Sequence, residues 1–137
     1  MRQKQFETRL ERWSIVGPLL NDLFCFFALV GHFRSVEPPQ AIVLKHELDR
    51  LVHADAHILG PAFMERYYTF MSTCFQTYVG VGVNAKLRAS AARQRIERGD
   101  AAWRPEWDSL FAREEDALPV GQVRQAYAAV AATFQEL

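Results

Sequence analysis

Three of the four histidines in this chain fall between positions 46 and 57, with Lys45, Glu47, Asp49 and Arg50 among them. On a helix, at ~100° per residue, His46, His53 and His57 project within roughly 40° of one another, flanked by Asp49 and Arg50. Imidazole nitrogens and a carboxylate on one face are donors that divalent transition metals accept. His53 and His57 stand four residues apart, close enough to share an ion, and Asp49 with His53 has the same spacing. His46 lies two turns from His53, roughly 10 Å along the axis, and is out of reach of that ion. A metal site here would rest on Asp49, His53 and His57 and would need a further ligand, from His32 or a partner chain. The competing reading is a solvated polar face, opposite the leucines of the same helix, with no cofactor.

Arg50 and His57 are separated by six residues. This spacing resembles the RxxxxxxH motif of the HEPN ribonucleases, which are small all-helical dimers. The resemblance implies an arginine and a histidine from two protomers meeting in a cleft and cleaving RNA without metal. His57 would then handle the proton and Arg50 would stabilise charge on the phosphate. The segment 86–98 could assist, because Lys86, Arg88, Arg93, Arg95 and Arg98 face a single acid there, Glu97. On a helical projection Lys86 and Arg93 share one side and Arg88 and Arg95 another, so the charge is spread around the helix. Gly80-Val81-Gly82 precedes it, but the Walker spacing and a leading strand are missing, which excludes a nucleotide loop of that type.

Other chemistry is sparse. Cys25 and Cys74 lie in apolar stretches without basic neighbours in sequence, and read as reduced, buried thiols. No Ser/His/Asp or Cys/His triad can be assembled, and Glu114-Glu115-Asp116 reads as a solvated helix end. Trp103 and Trp107 bracket Arg104-Pro105, a combination found both at interface hot spots and in cores. Asp55 projects onto the leucine face of its helix, at the core edge or paired with a cation such as Arg66.

The elements that must position these groups read as helices separated by short punctuation, with no convincing strand and no internal repeat. A first helix is expected over Gln3–Val16, with Phe6, Leu10 and Trp13 on one stripe, broken or kinked by Gly17-Pro18. A second, Pro18 to about Phe33, is apolar nearly all round, as suits the centre of a bundle, with Asn21, Cys25 and His32 as its narrow polar strip. A third runs from Pro38-Pro39 to about Leu59 and is stopped by Gly60-Pro61. A fourth, Ala62–Val79, carries Phe63, Met64, Tyr67, Phe70, Met71, Cys74, Phe75 and Tyr78 on a face broad enough for two neighbours. A basic segment from Asn84 to Arg98 and a short helix from Pro105 follow, with Trp107, Leu110 and Phe111 inward. The last helix carries Val123, Tyr127, Val130, Phe134 and Leu137 at alternating spacings of four and three, a seam suited to antiparallel packing.

These elements predict an all-α, compact helical bundle of five to seven helices, forming a single domain over residues 1–137. Half of the residues are hydrophobic, including ten Phe, four Tyr and three Trp, so a packed core is affordable. Sixteen basic residues balance sixteen acidic ones, which removes any global field drawing the chain to nucleic acid or anionic membranes. The basic start followed by the apolar stretch Ile15–Phe33 imitates a signal or anchor segment. Asn21 and Asp22 interrupt it, Leu23–Val30 falls short of the ~20 residues needed to span, and no small-x-small cleavage site follows. The expectation is a cytoplasmic, bacterial chain, from its arginine- and alanine-rich usage, that is not an enzyme. Its expected role is a protein–protein interaction or accessory module, acting as a homodimer or on another protein, with Trp103, Trp107, Val123, Tyr127, Val130 and Phe134 as contact surface. The alternative is the HEPN-like RNA-cleaving or nucleic-acid-binding domain using Arg50 and His57.

Overall fold

The computed structural model describes residues 2–77 and 85–134. Its first element is a single helix, α1, over Arg2–Ala28. The break expected at Gly17-Pro18 does not occur. Proline lacks an N–H and crowds the carbonyl four residues back, but both Pro18 and Ser14 are exposed, so the freed Ser14 carbonyl is on the solvent side. Gly17 is there for space: a Cβ on it would lie 2.9 Å from Trp13 Cε2. The Trp13 indole lies in that gap and stacks on Phe134 with ring centroids 4.6 Å apart. The second half of α1 buries Val16, Leu20, Leu23, Phe26 and Phe27, as its all-round apolar pattern requires. α1 stops at Ala28, short of the expected Phe33, because the chain turns left-handed at Leu29 and Gly31.

After a 3-10 turn at Phe33–Ser35, α2 spans Pro38–Ala54 with proline in its first turn. It buries Ala41, Ile42, Leu44, Leu48 and Val52 at helical spacing. The expected single helix to Leu59 is instead two, because the chain bends at Asp55 and α3 occupies Ala56–Leu59. Gly60, at φ 90°, then redirects the chain into α4, Pro61–Cys74. α4 is shorter than the expected Ala62–Val79. Phe75-Gln76 leave it as an extended strand, β1, paired antiparallel with β2, Lys86-Leu87, in the register Phe75↔Leu87 and Gln76↔Lys86. A two-residue ladder is too short for period-two alternation to signal it. Tyr78, Val79, Gly80-Val81-Gly82, Asn84 and Leu137 lie outside the described residues.

The basic segment is helical only over α5, Ala91–Arg98, opened by Ser90, whose hydroxyl accepts from the Arg93 N–H at 3.0 Å. The expected short helix at Pro105 is a 3-10 turn, Pro105–Leu110, and the last helix, α6, covers Val120–Ala132. Among the described residues the architecture is thus all-α: six α-helices, four 3-10 turns and one minimal strand pair. α1 packs on α2 and α6, and α4 packs on α6. The second half of α1 and α4 supply the centre, where Leu20, Leu23, Phe26, Phe63, Tyr67 and Phe70 are fully buried. Among the described residues no helix is long and apolar enough to cross a membrane.

Candidate functional site

The histidine strip is dismantled by the bend at Asp55. With α2 ending at Ala54 and His57 on α3, neither the four-residue step from His53 to His57 nor the seven-residue step from Arg50 translates into one helical face. Each group has a separate environment. Asp49 Oδ2 accepts from Lys45 Nζ at 2.6 Å, and its Oδ1 accepts from the Tyr67 hydroxyl at 2.7 Å. Lys45 is nearly covered and lies 5.7 Å from the centroid of the Phe75 ring. Burial first, then the Asp49 hydrogen bond and charge, push the Tyr67 hydroxyl far above its ordinary range. Asp49 is therefore committed to a Lys–Asp–Tyr cluster that ties α2 to α4. His53 Nδ1 meets the Tyr68 hydroxyl at 3.2 Å.

His46 and Arg50 are exposed on α2, while His57 faces an open groove with Lys4, Gln5, Thr8, Arg9 and Ile58. His32 is occupied elsewhere, its Nε2 2.6 Å from Asp22 Oδ1. Among the described residues no group of three His, Cys, Asp or Glu side chains is gathered to hold a metal ion. Asp55 pairs with Arg12, Nε to Oδ2 at 3.2 Å, where the sequence suggested a cation such as Arg66. The Arg12 N–H is not aimed at that oxygen, so the contact is an ion pair without a well-formed hydrogen bond.

The basic segment is largely spent on stitching loops together. Lys86 donates to the Ser109 carbonyl. Arg88 donates to the Asp116 and Ser72 carbonyls at 3.1 and 2.9 Å. Arg95 pairs with Asp100 at 2.7 Å, leaving Arg93 exposed. Arg98 goes deepest: its Nε donates to Gln94 Oε1 at 2.9 Å, and its Nη2 donates to the Phe33 and Val36 carbonyls at 3.1 and 2.7 Å. Burial lowers the Arg98 pKa, partly offset by Glu37, with Arg34 lowering it further. Sequence reading missed Gln94, a buried amide whose Nε2 donates to the Phe26 carbonyl at 2.9 Å in the last turn of α1. It sits in a basic, weakly amphipathic stretch, where nothing local marks it as inward-facing.

The residues expected to form a contact surface face the core. Trp103 and Trp107 are buried edge-to-face at 5.2 Å, and the Trp103 indole N–H donates to Asp108 at 3.0 Å. Val123 and Val130 are buried in the same core cluster. Tyr127 stacks on Phe24 at 4.4 Å and its hydroxyl accepts from Asn21 at 3.2 Å. Phe134 is held between Trp13 and Phe63. The seam of α6 thus serves antiparallel packing within the chain, with Val123 and Val130 buried and Tyr127 and Phe134 partly buried. Both thiols are free and buried, as expected. Burial raises the Cys25 pKa, with the His32 backbone N–H lowering it and Asp22 raising it.

Among the described residues, the large apolar side chains that remain in water are Phe6, Leu10, Ile15, Val43, Tyr68 and Ile96. Phe6 and Leu10 form a row one turn apart on α1, continuing the line of Trp13. Comparison with protein-family models, curated proteins and solved structures finds no match for this chain.

Proposed function

We propose that this chain is a helical interaction module acting through protein–protein contacts, and that a partner grips the amino-terminal half of α1. The observation carrying this reading is the Phe6/Leu10 row, with each side chain 39% exposed. Together with Trp13 these residues follow the i, i+4, i+7 spacing by which a helix lays its apolar face into a groove.

Magnitude decides between a second copy and a different protein. Full burial of a Phe or Leu side chain gives ~1.5–3 kcal/mol, so each of these has about 1 kcal/mol left to contribute. Two copies pairing row to row would gain about 4 kcal/mol, against an association cost of ~4–15 kcal/mol. Row-to-row self-pairing does not exceed that cost. A partner bringing its own uncovered groove does, so the reading favours a different protein over a homodimer. Glu7 and Glu11 are exposed along one border of the row, which calls for lysine or arginine on the rim of that groove.

Two measurements test this together. Sedimentation equilibrium at 0.1 mM protein, about the level where weak pairing becomes visible, should give a monomer. A photo-crosslinking benzoyl-phenylalanine at position 6 or 10, in the native cell, should trap the same single protein, and one at position 96 should not. Ile96 is the control because it is the most exposed large apolar residue among those described. A stable dimer, or equal labelling from all three positions, would overturn the reading.

A further inference from the structure

The groove that receives His57 is about 650 Å³, within the range of small-molecule sites. Lys4, Gln5, Thr8 and Arg9 of α1 form one wall, and His57 and Ile58 of α3 the other. No acid lines it. The acid next to His57 in the fold, Asp55, already has its charge met by Arg12. Glu7 and Glu11 project beside Lys4 and away from Arg9 at ~100° per residue, so the Arg9 side of the groove is the more positive.

Arg9 supplies the second, independent observation. Its Nε is buried and has no hydrogen-bond partner. Its guanidinium carbon lies 5.4 Å from the Phe134 ring centroid, which holds the planar group in place. Only Nε of this part-exposed side chain is covered, and the rest of its guanidinium fork suits phosphate or carboxylate oxygens. Lys4 adds a mobile point charge and His57 a third nitrogen donor or acceptor, while the Thr8 hydroxyl is taken by the Lys4 carbonyl at 2.9 Å.

We infer that this groove binds a small, multiply charged anion carrying phosphoryl oxygens, with Arg9 as the oriented fork and Lys4 as the long-reach charge. Arg9 stands three residues from Phe6, so the groove borders the Phe6/Leu10 row, but the site is argued from its own lining and does not require the partner contact proposed above.

The test is titration of the full chain with inorganic pyrophosphate, followed by calorimetry and by amide chemical shifts, in parallel with a short single-stranded RNA. Saturable one-to-one binding is expected, with shifts confined to residues 4–9 and 57–58. Lys4→Gln and Arg9→Gln should each weaken it about tenfold, the scale of one lost charge-assisted hydrogen bond. Arg113→Gln, on an exposed side chain, should leave it unchanged. Lys4 is exposed, so its variant keeps the fold even if Arg9→Gln disturbs the Phe134 contact. Three results would overturn the inference. One is no saturable pyrophosphate binding; another is equal affinity in wild type and Lys4→Gln. The third is tight RNA binding without pyrophosphate binding, which would reassign the groove to a nucleic-acid backbone.

Discussion

Replacing Gln94 with leucine tests whether a single buried amide latches α5 to the end of α1. Gln94 is 1% exposed and makes two hydrogen bonds, both 2.9 Å, donating to the Phe26 carbonyl and accepting from Arg98 Nε. The Phe26 carbonyl belongs to the last turn of α1, where no further helical N–H can reach it. Leucine is close to glutamine in volume, so no large cavity opens and the cost is polar. An unsatisfied buried carbonyl costs ~1–3 kcal/mol, and the lost Arg98 contact ~1–2 kcal/mol because its other two bonds persist. The apolar replacement returns about 1 kcal/mol through burial. The net expectation is a loss of about 2–3 kcal/mol, or roughly 5–10 °C in Tm for a chain of this size. Urea unfolding should show a lower midpoint at unchanged slope, while Arg93→Ala on the exposed side of α5 should stay within about 0.5 kcal/mol. Gln94→Glu separates the two bonds, because it keeps an acceptor for Arg98 but loses the donor to Phe26. Equal losses in the Leu and Glu variants would assign the cost to the Phe26 carbonyl. A loss under about 0.5 kcal/mol in the leucine variant would refute the latch.

Two glycines should respond to alanine with opposite signs. Gly60 has φ 90° and ψ 162°, and nothing lies within 4 Å of an added Cβ. Gly60→Ala should therefore cost ~1–3 kcal/mol through backbone strain alone. Gly121 lies within α6, also with open space around it, and Gly121→Ala should stabilise by roughly 0.5 kcal/mol. Urea midpoints that move in the same direction would contradict this assignment. Stability should also fall as pH rises above about 9. Burial raises the pKa of Cys74 well above its ordinary 9.0, and Cys25 and Tyr67 are raised as well. Over that range the folded chain binds more protons than the unfolded one, so unfolding free energy decreases with pH. A flat profile between pH 8 and 10.5, measured by urea unfolding, would count against these buried acids.

The sequence by itself determined what depends on neighbours a turn or two away. The apolar periods of 19–28 and 61–74 require buried helices, and these segments do form the centre of the core. Pro38 and Gly60-Pro61 set helix starts through fixed φ or steric freedom, and the Lys45–Asp49 pair follows from i, i+4 spacing. The contents of the candidate site depended on contacts far apart in sequence. Trp13 filling the space beside Gly17 lies within one helix, but its stacking on Phe134 is decided by how α1 meets the end of α6. Tyr67 ties Asp49 into a cluster with Lys45, and Gln94 reaches back 68 residues to Phe26. The bend at Asp55 moves His57 off the strip where its spacing had placed it and beside Arg9 at the start of α1. Periodicity reports which face of a helix is buried, because that is set by local geometry. It carries no information on which distant group will meet a polar side chain, and that choice assembled the groove.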